Sequence, residues 1–362
     1  MTAEDVSISV QRYRPSLSLK SKLKPYFGTP VNGAITVGCI LVIAWALKHV
    51  IAWLFVDAVF TGTPAVCQQQ GGACWPFLVA KMRFMLFGFY PFEEQWRPLF
   101  ALLMFFGTCG IAMIPMFWGR RLLVLGAAAC IVIFWLMLGG FAGLVYVPTS
   151  KWGGLPLSFM LSAVGLVCAF PLGVLLALAR ASNLPAIRVL AVVFIELVRG
   201  VPLISILFMA SVMLPLFLPT GVNIDNLLRA QVAIILFAAA YIAEVVRGGL
   251  QALPKGQVEA ASAMGLHYWQ TMRLIVLPQA LKIVIPPLVS LFIGFFQDTT
   301  LVTIVGLLDF LDTVRAAMRD PQWQGIAVLE GYVFAAFVYL VFSAIMGAYS
   351  RFLERRFRVG HD

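Results

Sequence analysis

The chain has 362 residues, of which 61% are hydrophobic and only 12% charged, with a formal net charge of +10. Ordinary soluble domains carry roughly 45–50% apolar and about 25% charged residues, so a water-soluble enzyme is excluded and an all-α polytopic membrane protein is indicated. The basic excess reports topology rather than nucleic-acid binding, because Lys and Arg collect in cytoplasmic loops.

In chain order, residues 1–30 carry Arg12, Arg14, Lys20, Lys22 and Lys24 without an apolar stretch long enough for a secretory signal, and they read as a basic cytoplasmic tail. Apolar windows predict eight transmembrane helices near 31–56, 98–118, 122–147, 155–179, 189–218, 228–252, 278–306 and 328–350. With the tail inside, Arg120, Arg121, Arg180, Arg188, Lys255 and Arg273 fall on the same side, as do Arg351, Arg355, Arg356 and Arg358. That asymmetry predicts two cytoplasmic termini.

The segment 57–97 reads as an outer loop rimmed by Trp75, Tyr90 and Trp96. Within it Cys67 and Cys74 bracket a polar stretch, and they are either a disulfide at an oxidising face or two free thiols. Cys39, Cys109, Cys130 and Cys168 lie in apolar runs, where a thiol acts as a small hydrophobe. His49 and His361 are isolated and His267 sits in a polar loop, so no metal site emerges.

Composition divides the chain. Region 31–154 is rich in Phe, Trp and Leu and reads as an accessory transmembrane part. Region 155–352 places Gly, Pro and ionisable residues at membrane depth, where they are costly unless they face protein or water, and reads as the functional core. Residues 353–362 form a second cytoplasmic tail.

The loop 254–278 is more polar than its flanks but helical in pattern. Residues 257–264 favour helix, Gly265 offers a stop, and residues 268–273 resume it. Glu259 near the helix start suits the macrodipole, while Ala260 and Ala261 leave room for another surface to approach. Glu259, Ala260, Ala261, Gly265, Ile275, Leu277 and Pro278 together give E-A-A, three residues, Gly, nine residues, I-x-L-P. The chain thereby resembles the membrane subunits of ABC importers.

The phrases at 196–203, 240–249 and 298–301 resemble the polar amino acid branch of that family, and the added N-terminal spans look closest to the M-type subunits of general L-amino acid permeases. That branch usually has Lys before Asp-Thr, where this chain has Gln297, so a role for that Lys is not carried over. The resemblance implies a type I ABC importer permease core with three extra N-terminal helices, in a bacterial inner membrane, with the 254–278 loop as the coupling helix. It also implies an ABC ATPase dimer, a second permease subunit (paralogue or self) and a periplasmic amino acid-binding protein as partners. ATP and Mg would bind the ATPase, and no cofactor would bind this chain. None of the eight lysines follows a glycine, so a Walker A loop is absent.

Glu196 with Arg199, and Glu244 with Arg247, stand at i,i+3 on one helix face and predict ion pairs that lower the cost of leaving water. Tyr241 shares the Glu244 face, and either residue could line a pathway and accept a substrate ammonium group. Gln297, Asp298, Thr299 and Thr300 interrupt the seventh span. They either line a cavity or cap a broken helix. The rival to an ATP-driven importer is an ion-coupled secondary transporter using Asp298 and Glu244.

Overall fold

A computed structural model describes residues 26–117, 119–219 and 221–357. The basic residues Arg12 to Lys24, Arg358 and His361 lie outside the described residues. The chain forms two compact units, Met1–Cys74 and Trp75–Asp362.

In the first unit, α1 (Pro30–Ile51) opens with Pro at the first helical turn and with Thr29, whose Oγ1 accepts the Asn32 N–H at 3.1 Å. It continues through a π-helical turn, Ala52–Val56, and no residue of either segment is buried. The short α2 (Pro64–Gln70) ends at Gly71, φ +66°, and Cys67 and Cys74 are bonded with Cα atoms 5.6 Å apart.

The second unit contains α3 (Trp75–Phe87), α4 (Trp96–Ala112), α5 (Arg120–Leu138), α6 (Gly154–Arg180), α7 (Pro185–Gly200), α8 (Leu203–Phe208) and α9 (Asn226–Gln251). After the loop described below come α12 (Leu277–Ile283), α13 (Ile285–Asp298), α14 (Phe310–Met318) and α15 (Val328–Phe357), the loop itself holding α10 (Gly256–Ala263) and α11 (Tyr268–Thr271). A two-residue strand, Leu308–Asp309, pairs with Gly153 and Gly154.

Among the described residues six stretches are long and apolar enough to cross a membrane, and the bent pair Pro185–Gly200 with Leu203–Phe217 makes a seventh. The count of eight is therefore not reached. The missing span, predicted over 98–118, is α4, whose 17 residues rise about 26 Å against a hydrocarbon layer of roughly 30 Å. The span predicted over 122–147 stops at Leu138, because Gly139 and Gly140 take φ of +68° and +78°. The single span predicted over 189–218 is two helices meeting at 101°. Val201 is extended and Pro202 has no N–H to offer, which ends α7 and starts α8.

The centre of the second unit is the α6–α9 contact. Lipid tails are as apolar as the helices, so association depends on close packing by small residues rather than on hydrophobic transfer. On α9, Ala230, Ala233, Ala240 and Ala243 are buried, and on α6 Gly165 and Gly173 face Ile234 and Ile242. A Cβ at Gly173 would stand 2.6 Å from Ile242 Cγ2 and 2.9 Å from the Ala239 carbonyl oxygen.

Arg97 is fully buried at the end of α5, where its Nε donates to Leu136 O at 2.6 Å and its Nη1 to Val145 O at 2.8 Å. Tyr90 Oη donates to Met137 O at 2.9 Å. Two side chains from outside α5 thus satisfy carbonyls that the helix end leaves free.

Candidate functional site

The loop between α9 and α13 is ordered by local chemistry. Gly265 has φ +77°, the Leu266 N–H donates to Ala261 O at 3.1 Å and the Gly265 N–H to Ser262 O at 3.0 Å. These two bonds close the end of α10 as a Schellman motif, which favours Gly at that position. Gln270 Oε1 accepts the His267 N–H at 3.2 Å and starts α11. A π-helical turn, Met272–Val276, follows, and α10 packs on it. Gln279 Nε2 donates to Gln257 Oε1 at 3.3 Å and to Ile275 O at 3.0 Å, tying α12 to the start of α10.

In this frame Ala261 is buried, Ile275 and Leu277 are half-buried, and Glu259, Ala260, Gly265 and Pro278 are exposed. Met264 is 76% exposed and Trp269 62%, so a face with apolar side chains and one carboxylate is left uncovered by the other described residues.

The same end of the bundle carries a charge network. Glu244, with 14% of its side chain exposed, receives Arg247 Nη2 at 2.9 Å, Arg180 Nη1 at 2.7 Å and Arg199 Nη1 at 3.6 Å. The predicted Glu244–Arg247 contact is present, but Glu196 meets Arg180, at 2.8 Å, rather than Arg199. The spacing rule sees partners on one helix, and the reach of Arg180 from the end of α6 supplied a nearer one. Arg180 carried no such signal in the sequence, because its partners come from two other helices. Arg199 also lies 5.4 Å from the centre of the Tyr241 ring. Arg180, Arg247, Leu250 and Gln251 line a cleft of about 420 Å³ beside the network.

The polar residues at 297–300 stand where α13 gives way to a 3-10 helix, Thr299–Val305. Their side chains do not converge on one point. Gln297 Nε2 lies 3.4 Å from Ser343 Oγ on α15, and buried Thr299 donates its hydroxyl to Phe296 O at 2.8 Å. Asp298 and Thr300 are half-buried. Tyr241 packs against Phe295, with ring centres 6.3 Å apart, and Phe295 lies one turn before Asp298 on the same face. Tyr241 therefore lies between Arg199 of the arginine network and Phe295, one turn before the 297–300 break, whereas Glu244 belongs to the network itself.

At the far end, Asp309 caps α14. Its Oδ2 accepts the Leu311 N–H at 3.0 Å and Tyr339 Oη at 3.3 Å, and its Oδ1 accepts the Asp312 N–H at 3.0 Å. Burial pushes its carboxyl up to about 6, against the lowering by the two backbone N–H donors. Lys81 Nζ meets Asp320 Oδ2 at 2.6 Å and holds that carboxyl below the usual range. An Asp directly before an amphipathic segment, the pattern of a helix N-cap, was the available sequence signal for Asp309. Among the described residues no three His, Cys, Asp or Glu side chains come together as metal ligands.

Residues 169–359 match the family model described as "Binding-protein-dependent transport system inner membrane component". The chain is similar to the inner membrane amino-acid ABC transporter permease protein YhdY of Escherichia coli (strain K12), 47% identical over 343 residues that cover 93% of this chain and 92% of the relative. It is also similar to the glutamate/glutamine/aspartate/asparagine transport system permease protein BztC of Rhodobacter capsulatus, 37% identical over 412 aligned residues covering 92% of each. A solved structure titled "Crystal structure of an amino acid ABC transporter with histidines" is 28% identical and matches 56% of this chain and 92% of its own, with a TM-score of 0.50. The exposed E-A-A helix, the apolar spans and these similarities lead to one conclusion: the chain belongs to the binding-protein-dependent transport system inner membrane components, the membrane-spanning, non-enzymatic permease subunits of ABC importers.

Proposed function

We propose that this permease forms half of a two-fold or pseudo-two-fold pore for polar amino acids, with the α10 end in the cytoplasm and both termini on that side. The relatives named for amino acids, glutamate and aspartate among them, support the substrate class. The region 155–352 is the pore core, and 31–154 is an accessory part added to it. The observation that carries the coupling role is the loop itself, in which Ala261 alone of the helix α10 is buried while Glu259, Ala260, Met264 and Trp269 are exposed, uncovered by the other described residues.

An ATPase dimer seats this helix. ATP and Mg bind on that partner, closure of the dimer moves α10, and the moved helix shifts the pore between inward and outward access because the partner binds its two states unequally. A binding protein delivers substrate at the far end, and the second permease subunit is a copy of this chain or a paralogue. Tyr241, Asp298 and Thr300 line the pathway, and the network around Glu244 joins the helix ends next to the coupling loop.

The test is uptake of radiolabelled L-amino acids into vesicles containing the assembled transporter, with Glu259→Lys as the variant. Uptake that needs ATP and is lost in Glu259→Lys, with spans and expression intact, is the expected result. Uptake by this chain alone under an ion gradient, indifferent to ATP, would overturn the reading in favour of an ion-coupled carrier. Unchanged uptake by Glu259→Lys would remove the coupling assignment.

A further inference from the structure

At the far end of the second unit a cleft of about 510 Å³ opens between α14, the turn that follows it and the start of α15. This lies within the roughly 300–1,000 Å³ of ligand clefts. Asp312, Arg315 and Arg319 all line it from α14 and its C-cap, with Thr303, Gln324 and Tyr332 supplying further polar groups. The spacing i, i+3, i+7 places the three charges on one face, and Arg315 and Arg319 stand one turn apart, about 6 Å along the axis.

None of the ion pairs among the described residues involves these three side chains. Asp312 and Arg315 do not even pair with each other across their i,i+3 spacing. Two guanidiniums at i,i+4 repel, and among the described residues no carboxylate forms an ion pair with either of them. The helix dipole favours Asp312 in the first turn of α14 and Arg315 and Arg319 at its end, but it supplies none of the three with an ion-pair partner.

We propose that this cleft binds an acidic amino acid. Two cations and one anion are the charge complement of a ligand with two carboxylates and one ammonium group. Arg315 and Arg319 would each hold a carboxylate by charge-assisted hydrogen bonds, at a separation a five-carbon dicarboxylate spans, and Asp312 would accept from the ammonium group. A neutral amino acid leaves one guanidinium unanswered. The cleft is distinct from the residues around Tyr241 and Asp298, and its meaning as a receiving site for substrate rests on the importer reading above.

The experiment is equilibrium binding of radiolabelled L-glutamate to the assembled transporter, purified in lipid nanodiscs without nucleotide or binding protein, with L-glutamine and glutarate as competitors. The wild type should prefer glutamate over glutamine, and Arg315→Gln and Arg319→Gln should each weaken glutamate binding about tenfold. Arg319→Gln should also lose the preference for glutamate over glutamine, a ratio that does not depend on how much of a variant is folded. Asp312→Asn should bring glutamate down to the affinity of glutarate. A wild type that binds no glutamate, or an Arg319→Gln variant with unchanged affinity and preference, would overturn the proposal. Vesicles that import no amino acid while glutamate binding still depends on Arg315 would instead defeat the importer reading and leave the cleft standing.

Discussion

Arg180 at the end of α6 places Nη1 2.7 Å from Glu244 Oε1 on α9, and the same nitrogen lies 2.8 Å from Glu196 Oε1 on α7. One guanidinium thus ties three helix ends together beside the coupling loop. Two carboxylates and three guanidiniums meet there, a net charge of +1, and without the Glu244 charge the three guanidiniums would face a single carboxylate.

Replacing Glu244 with Gln leaves Arg180, Arg199 and Arg247 without their shared acceptor. The expected loss is about 2 kcal/mol, less than for a fully buried pair because the arginines are partly exposed. Thermal unfolding in detergent should show a lower midpoint, and adding Arg180→Gln to Glu244→Gln should cost less than the two single effects added. Strict additivity would mean that the 2.7 Å contact carries no coupling.

Gly173→Ala should destabilise by about 1–3 kcal/mol, since the added methyl overlaps Ile242 and the Ala239 carbonyl. Ile242→Ala cut into the same contact should recover part of that loss. A Gly173→Ala protein as stable as the wild type would show that α6 and α9 can separate freely.

Asp309 predicts a pH effect of definite sign. Its carboxyl lies at about 6 in the folded chain and near 3.9 when unfolded, so the folded state holds the proton more tightly. The resulting stabilisation is complete below about pH 4 and is lost as pH rises through about 6. The midpoint of the wild type relative to Asp309→Asn should therefore fall between pH 5 and pH 7. A constant difference across that interval would show that the cap does not titrate.

The Lys81–Asp320 pair runs the opposite way. Because Lys81 lowers the Asp320 carboxyl, the pair stabilises above about pH 4 and fades as pH falls through the lowered value. Both partners are partly exposed, so the effect is about 0.2–1 kcal/mol. Asp320→Asn should lower the midpoint at pH 7 and match the wild type in strong acid, and high salt should shrink the difference at neutral pH.

Local chemistry was legible in the sequence. The stop at Gly265, the interruption after Gln297 and the apolar stretches all depend on neighbours within a few residues. What could not be read depends on distant partners. Nothing near Arg180 announces Glu244, and nothing near Glu196 says that an arginine from another helix will outcompete Arg199. The early end of α5, where Gly139 and Gly140 turn the chain, is satisfied by Arg97 and Tyr90, which reach its carbonyls from another helix and loop. Apolar windows overran it because the residues after Leu138 remain apolar even though the backbone turns away.

The right-angled elbow at Val201–Pro202 has a consequence for the surrounding lipid. Its two arms, Pro185–Gly200 and Leu203–Phe217, each rise only about 23–24 Å as helix, so neither alone matches a layer of roughly 30 Å. Acyl chains alongside this wall must shorten or tilt unless a neighbouring subunit covers it, which makes the thickness of the host membrane a direct mechanical load on this part of the transporter.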